Sequence, residues 1–120
     1  MSIDPRPDDV KRFVSDGPDA PFVMLNLLRF TDNGRARYRE YMAAAAPFLA
    51  KAGGELVYFG EGTTPLVGDP QDPWNAVLLV RYPSRAAFLA MVSDPAYVAI
   101  THLRTEALRE TILQPTKAAL

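Results

Sequence analysis

Two periodicities run through this sequence. Phe22 to Phe30 (FVMLNLLRF) is an almost unbroken apolar run, bounded by Pro21 and by Thr31-Asp32-Asn33-Gly34, and predicts a buried strand. From Arg35 to Ala52 the spacing changes to three and four. Tyr38, Tyr41, Met42, Ala45, Phe48, Leu49 and Ala52 share one helical face. Pro47 is expected to kink that helix, and Gly53-Gly54 to stop it. Glu55 to Gly60 (ELVYFG) predicts a second strand, Gly62 to Pro73 a turn-rich connection, and Trp74 to Tyr82 (WNAVLLVRY) a third strand. Ser84 is a good cap for a helix carrying Phe88, Leu89 and Val92. Asp94-Pro95 restarts a helical turn. Ala107 to Leu113 reads as a fourth strand, although ALRETIL also fits a helix. Ahead of all this, Asp8 to Ser15 has the spacing of a short helix. Residues 1–20 are read as an N-terminal extension of one domain spanning 1–120.

The resulting order, strand, helix, strand, strand, helix, strand, is the ferredoxin-like βαββαβ pattern: α+β, with a four-stranded antiparallel sheet. A faint repeat marks it. Leu27-Leu28-Arg29-Phe30 closes strand one and Leu79-Val80-Arg81-Tyr82 closes strand three, each followed by a turn and a helix. Read as two copies of one strand–helix unit, they predict strands one and three side by side and parallel.

Both faces of the strands are apolar. In strand one, Val23, Leu25 and Leu27 oppose Phe22, Met24, Asn26, Leu28 and Phe30. Two helices cover one face only, and a bare apolar sheet exceeds the few hundred Å² that a soluble monomer ordinarily exposes. The second face is therefore expected to pair with a second copy of the chain. The aliphatic set Val23, Leu25, Leu27, Val77 and Leu79 is assigned to the helices. The mixed set Phe22, Met24, Asn26, Tyr58, Trp74 and Tyr82 is assigned to the intersheet side, where a ligand could sit.

The runs MLNLLRF, AAAAPFLAKAGGELVYFGEG, WNAVLLVRYPSRAAFLAMVSDPAY and RTEALRETILQPT, in that order, resemble the family called domain of unknown function 1330, from about Pro21 to Pro115. The resemblance implies the dimeric α+β barrel superfamily, in which two ferredoxin-like sheets pack face to face. That superfamily includes cofactor-free monooxygenases, isomerases, haem-dependent peroxidases and proteins without known reactions, so the resemblance implies fold and dimerisation rather than one activity.

Composition narrows the chemistry. Cys is absent, which excludes disulfides, thiol catalysis and Cys-ligated metals; the one histidine, His102, excludes a multi-His metal site within one chain. Lys+Arg is 13 against Asp+Glu 14, a net charge of -1 that argues against a nucleic-acid or anionic-membrane binder. No signal-like apolar core opens the chain, so a cytoplasmic location is expected. No cofactor and no metal are expected.

Six residues are candidates for ligand binding. Asn26 is an amide inside an apolar strand, and must find partners or cost about 1–3 kcal/mol. Arg29 and Arg81 occupy equivalent repeat positions suited to a carboxylate or phosphate, or to salt bridges with Glu55, Glu61 or Glu106. Tyr58 and Trp74 offer aromatic walls. His102 is the side chain with an ordinary pKa near neutrality, or else a surface histidine. Tyr38 and Tyr41 are read as core packing. These residues support a small-molecule-binding protein whose ligand, apolar or aromatic, is oriented by Asn26. The alternatives are a cofactor-independent oxygenase or isomerase and a purely structural dimer.

Overall fold

The computed structural model describes residues 3–120. The elements run α1 (Pro7–Ser15), β1 (Phe22–Phe30), α2 (Gly34–Lys51), β2 (Glu55–Glu61), β3 (Ala76–Tyr82), α3 (Arg85–Ser93), α4 (Pro95–Val98), α5 (His102–Ala107) and β4 (Leu108–Thr116). The four strands form one antiparallel sheet in the order β2-β3-β1-β4, the expected α+β ferredoxin-like arrangement.

Local chemistry sets the boundaries. Asn33 takes a left-handed conformation (φ 62°) ahead of α2, and Gly53 (φ 74°) ends the turn after it. The α2 helix runs on through Pro47 to Lys51 rather than breaking there. Ser84 accepts a hydrogen bond from Ala87 N at 3.0 Å, and Asp94 from Ala96 N at 2.9 Å; these caps start α3 and α4. The ambiguous ALRETIL segment divides at Ala107: α5 ends there, and β4 continues along β1 to Thr116.

Two expectations are corrected. Strands β1 and β3 are neighbours but antiparallel, with Val23 opposite Arg81 and Leu28 opposite Ala76. The β2–β3 connection reverses the chain, so β1 shares its direction with β2, and β3 lies between them. The face assignment is also reversed. Phe22, Met24, Asn26 and Leu28 of β1 are buried, as are Ala76, Leu78, Val80 and Tyr82 of β3. They pack beneath Tyr38, Phe88, Met91 and Tyr97 of the helices. The gap between a sheet and its helices is deep, and the larger side chains fill it: Phe22 stacks on Tyr82 at 5.5 Å, and Phe88 meets Tyr82 edge-on at 5.0 Å.

The aliphatic set Val23, Leu25, Leu27, Val77 and Leu79 lies on the opposite, open face. A bulge in β2 between Leu56 and Tyr58 splits the mixed set further. Leu56 stays level with Val80 on the helix side, while Tyr58 pairs with Leu79 on the open face and is 54% exposed.

Candidate functional site

Between α2, α3, α4 and the sheet lies a cavity of about 270 Å³. Its floor is Asn26, Leu78 and Val80; its walls include Met42, Ala45, Leu49 and Met91. Four phenols line it: Tyr38 and Tyr41 from α2, Tyr82 from β3 and Tyr97 from α4. The volume lies near the lower end of small-molecule sites, and the mixture of apolar wall with a few polar groups is typical of them.

The sequence builds this site simply. The α2 periodicity puts Tyr38, Tyr41, Met42 and Ala45 on one face, and the β1 alternation turns Asn26 to the same side as Met24 and Leu28. The Asp94 cap and Pro95 start α4 so that Tyr97 reaches back to α2. The Tyr41 and Tyr97 hydroxyls are hydrogen-bonded at 2.6 Å, and Phe48 meets the Tyr97 ring edge-on at 5.8 Å. Asn26 Nδ2 donates to Met24 O at 3.2 Å, leaving its second N–H proton and its carbonyl for other partners. The hydroxyls of Tyr38 and Tyr82 have no hydrogen-bond partner among the described residues.

Burial sets the protonation of these phenols. It pushes Tyr38 up to about 12, and it raises Tyr41 and Tyr82 beyond that, with Tyr97 contributing to both. At neutral pH these three are O–H donors and not bases. Because the folded Tyr38 keeps a proton that the unfolded chain releases at about pH 10, stability is complete below pH 10 and is lost as pH rises through about 12. A pH titration followed by phenolate absorbance and circular dichroism should therefore show the buried tyrosines ionising together with unfolding. Full ionisation at pH 10 with the fold intact would contradict this.

Of the six sequence candidates, the cavity takes Asn26. Arg29 lies at one end of the open face, where its guanidinium stacks on Trp74 at 3.8 Å from the ring centre. It pairs with Glu110 and with Asp72, Nε to Oδ1 at 3.3 Å, and Nη2 donates to Asp72 O at 3.1 Å. Neither partner is one of Glu55, Glu61 and Glu106, the carboxylates that the sequence suggests for it. Arg109 donates to Asp72 at 2.7 Å, and this bond holds the Asp72 carboxyl below its usual range. The group fastens the long connection after β2 to the sheet, helped by Phe30 N donating to Asn75 Oδ1 at 2.8 Å.

Arg81, opposite Glu55 and Val23, lies at the other end of the sheet. Antiparallel pairing separates the two arginines, so they do not form one anion clamp. His102 is exposed on α5, its Nδ1 3.1 Å from Ala99 O.

Tyr97 and Arg104 were not picked out by pattern. Tyr97 sits in a four-residue helix too short to show a periodicity. Arg104 had a signal: it shares a helical face with Ile100 and Ala107, an apolar position for a charged residue. It is 7% exposed. Nη1 donates to Ile3 O at 2.9 Å and lies 3.5 Å from Asp4 Oδ1, while Nη2 is buried without a hydrogen-bond partner among the described residues.

Fold and cavity together define an α+β protein of ferredoxin-like type with a phenol-lined pocket between sheet and helices. The chain belongs to the family described as Domain of unknown function (DUF1330), whose model matches residues 22–114. No curated protein matches this sequence. A crystal structure of a protein of unknown function from Rhodopseudomonas palustris is similar over 98% of this chain and 97% of its own, with 28% identity and a TM-score of 0.89. A dimeric ferredoxin-like protein of unknown function from Bacteroides fragilis shares the fold at 12% identity and a TM-score of 0.56, over 82% of this chain and 96% of its own. A proposed antibiotic biosynthesis monooxygenase from Caulobacter crescentus does so at 10% and 0.59, over 85% of this chain and 92% of its own.

Proposed function

We propose that this protein binds a small apolar or aromatic compound in the cavity between helices and sheet, and that it does so as a homodimer joined through the open sheet face. The observation that carries the binding reading is the cavity itself: about 270 Å³ of apolar and aromatic wall around the Asn26 amide and the free Tyr38 and Tyr82 hydroxyls. Buried polar groups ordinarily find partners, and groups left over beside a cavity are positioned to receive a ligand's. The size of the cavity weighs against a purely structural dimer whose own side chains fill it.

The dimer reading rests on the open face. Val23, Leu25, Leu27, Val77 and Leu79 form an aliphatic layer extended by Ile112, 36% exposed, and Tyr58. Related folds are described as dimeric, which supports the same conclusion.

A second reading, a cofactor-independent oxygenase or isomerase, has support in the same donor set, which suits an enolate or phenolate oxygen. The raised phenol pKa values leave Tyr38, Tyr41 and Tyr82 poor bases, so such chemistry would need a substrate that arrives ionised or loses its proton easily. Native mass spectrometry of freshly purified protein tests the main reading. The expected species is a dimer carrying an additional small mass that is released under dissociating conditions. A monomer at micromolar concentration would overturn the dimer. Oxygen uptake with a panel of quinols, lost in an Asn26→Ala protein that still folds, would favour the enzyme.

A further inference from the structure

The polar groups around the cavity are unequal in kind. Tyr38 and Tyr82 present O–H groups without partners among the described residues. The Tyr41–Tyr97 pair shares one of its two protons and keeps one to give. Asn26 adds an N–H. No Asp or Glu lines this space. The nearest buried charge is positive: Arg104, on α5 packed against α2. Its Nη2 is buried without a hydrogen-bond partner among the described residues, and Nη1 lies 3.5 Å from Oδ1 of Asp4, a half-exposed carboxylate that also accepts from Thr105 Oγ1. Burial is the larger effect and raises the pKa of Tyr38, Tyr41 and Tyr82; the Arg104 charge opposes it in part at all three phenols.

We infer that the cavity selects an anionic ligand, a small apolar or aromatic monocarboxylic acid, whose carboxylate takes hydrogen bonds from the Tyr38 and Tyr82 hydroxyls and the Asn26 amide in the field of the buried Arg104. This rests on the binding reading above and names its ligand class. The chemistry is complementary: a carboxylate only accepts hydrogen bonds, neutral buried phenols donate them, and a donor pointed at an anion in a low-dielectric site gains more than one pointed at a neutral carbonyl. Arg104 acts as a positioning charge behind the phenols and not as a contact. The apolar remainder of the acid would lie against Met42, Leu49 and Met91.

The test is calorimetric titration of the 120-residue protein at pH 7.5 with benzoate, phenylacetate and hexanoate, each beside its methyl ester. At least one acid should bind tenfold or more tightly than its ester, about the weight of one charge-assisted hydrogen bond. In Arg104→Met the preference should fall toward unity, and Arg104→Lys, which keeps the charge, should retain most of it. A variant weakened only through its fold would lose acid and ester binding alike and leave their ratio unchanged. Esters binding as well as acids to the unaltered protein would overturn this inference and keep the binding reading. An absence of binding by every compound would overturn both.

Discussion

Replacing Leu79 with aspartate is expected to turn the proposed dimer into a folded monomer. Leu79 is central on the open face, between Leu25 on β1 and Tyr58 on β2. In a two-fold interface the same patch serves both copies, so one substitution introduces two carboxylates into the apolar layer. Desolvating each without a partner costs several kcal/mol, enough to move a micromolar dimer wholly to monomers. The helix side is untouched, so circular dichroism should be nearly unchanged while the mass in solution falls from twice 13.2 kDa to 13.2 kDa. A variant that keeps the doubled mass would show that the interface lies elsewhere.

The second large effect is on stability. Leu28 is 0% exposed, in the central strand, and pairs with Ala76 on one side and Thr111 on the other. Leu28→Ala removes three carbons where neither backbone can close in, because both flanking strands are hydrogen-bonded along their length. The expected loss is about 2–5 kcal/mol. At ~4 °C per kcal/mol that lowers Tm by about 8 °C or more. A loss below about 1 kcal/mol in denaturant unfolding would mean that the site collapses around the smaller side chain.

Much of this architecture is legible in the residues. The switch from a buried run at Phe22–Phe30 to three- and four-residue spacing from Arg35 identifies strand and helix, and Ser84 and Asp94 announce their caps. What alternation alone does not decide is which apolar set faces the helices. Val23, Leu25 and Leu27 are as apolar as Phe22, Met24 and Leu28, and only the depth of the space beneath the helices separates them. The β2 bulge moves Tyr58 across the sheet without any glycine or proline at the shifted position to signal it. Asn26 could be found because an amide is conspicuous in FVMLNLLRF. The phenols could not be assembled: Tyr38 and Tyr41 read as core, alternation groups Tyr82 with the set expected on the other face, and Tyr97 lies on a helix of four residues, too short to display a pattern.

A ligand bound over Asn26, as proposed, lies against the methionines of this cavity. Methyl-labelled methionine offers a direct test, because Met42 and Met91 line this cavity while Met24 lies beside a different one, near α1 and α3. Titration with the small acids and esters, followed by methyl NMR, should shift Met42 and Met91 together and leave Met24 in place. A response at Met24 alone would place the ligand in the other cavity, and no response at Met42 or Met91 with any compound would contradict the claim.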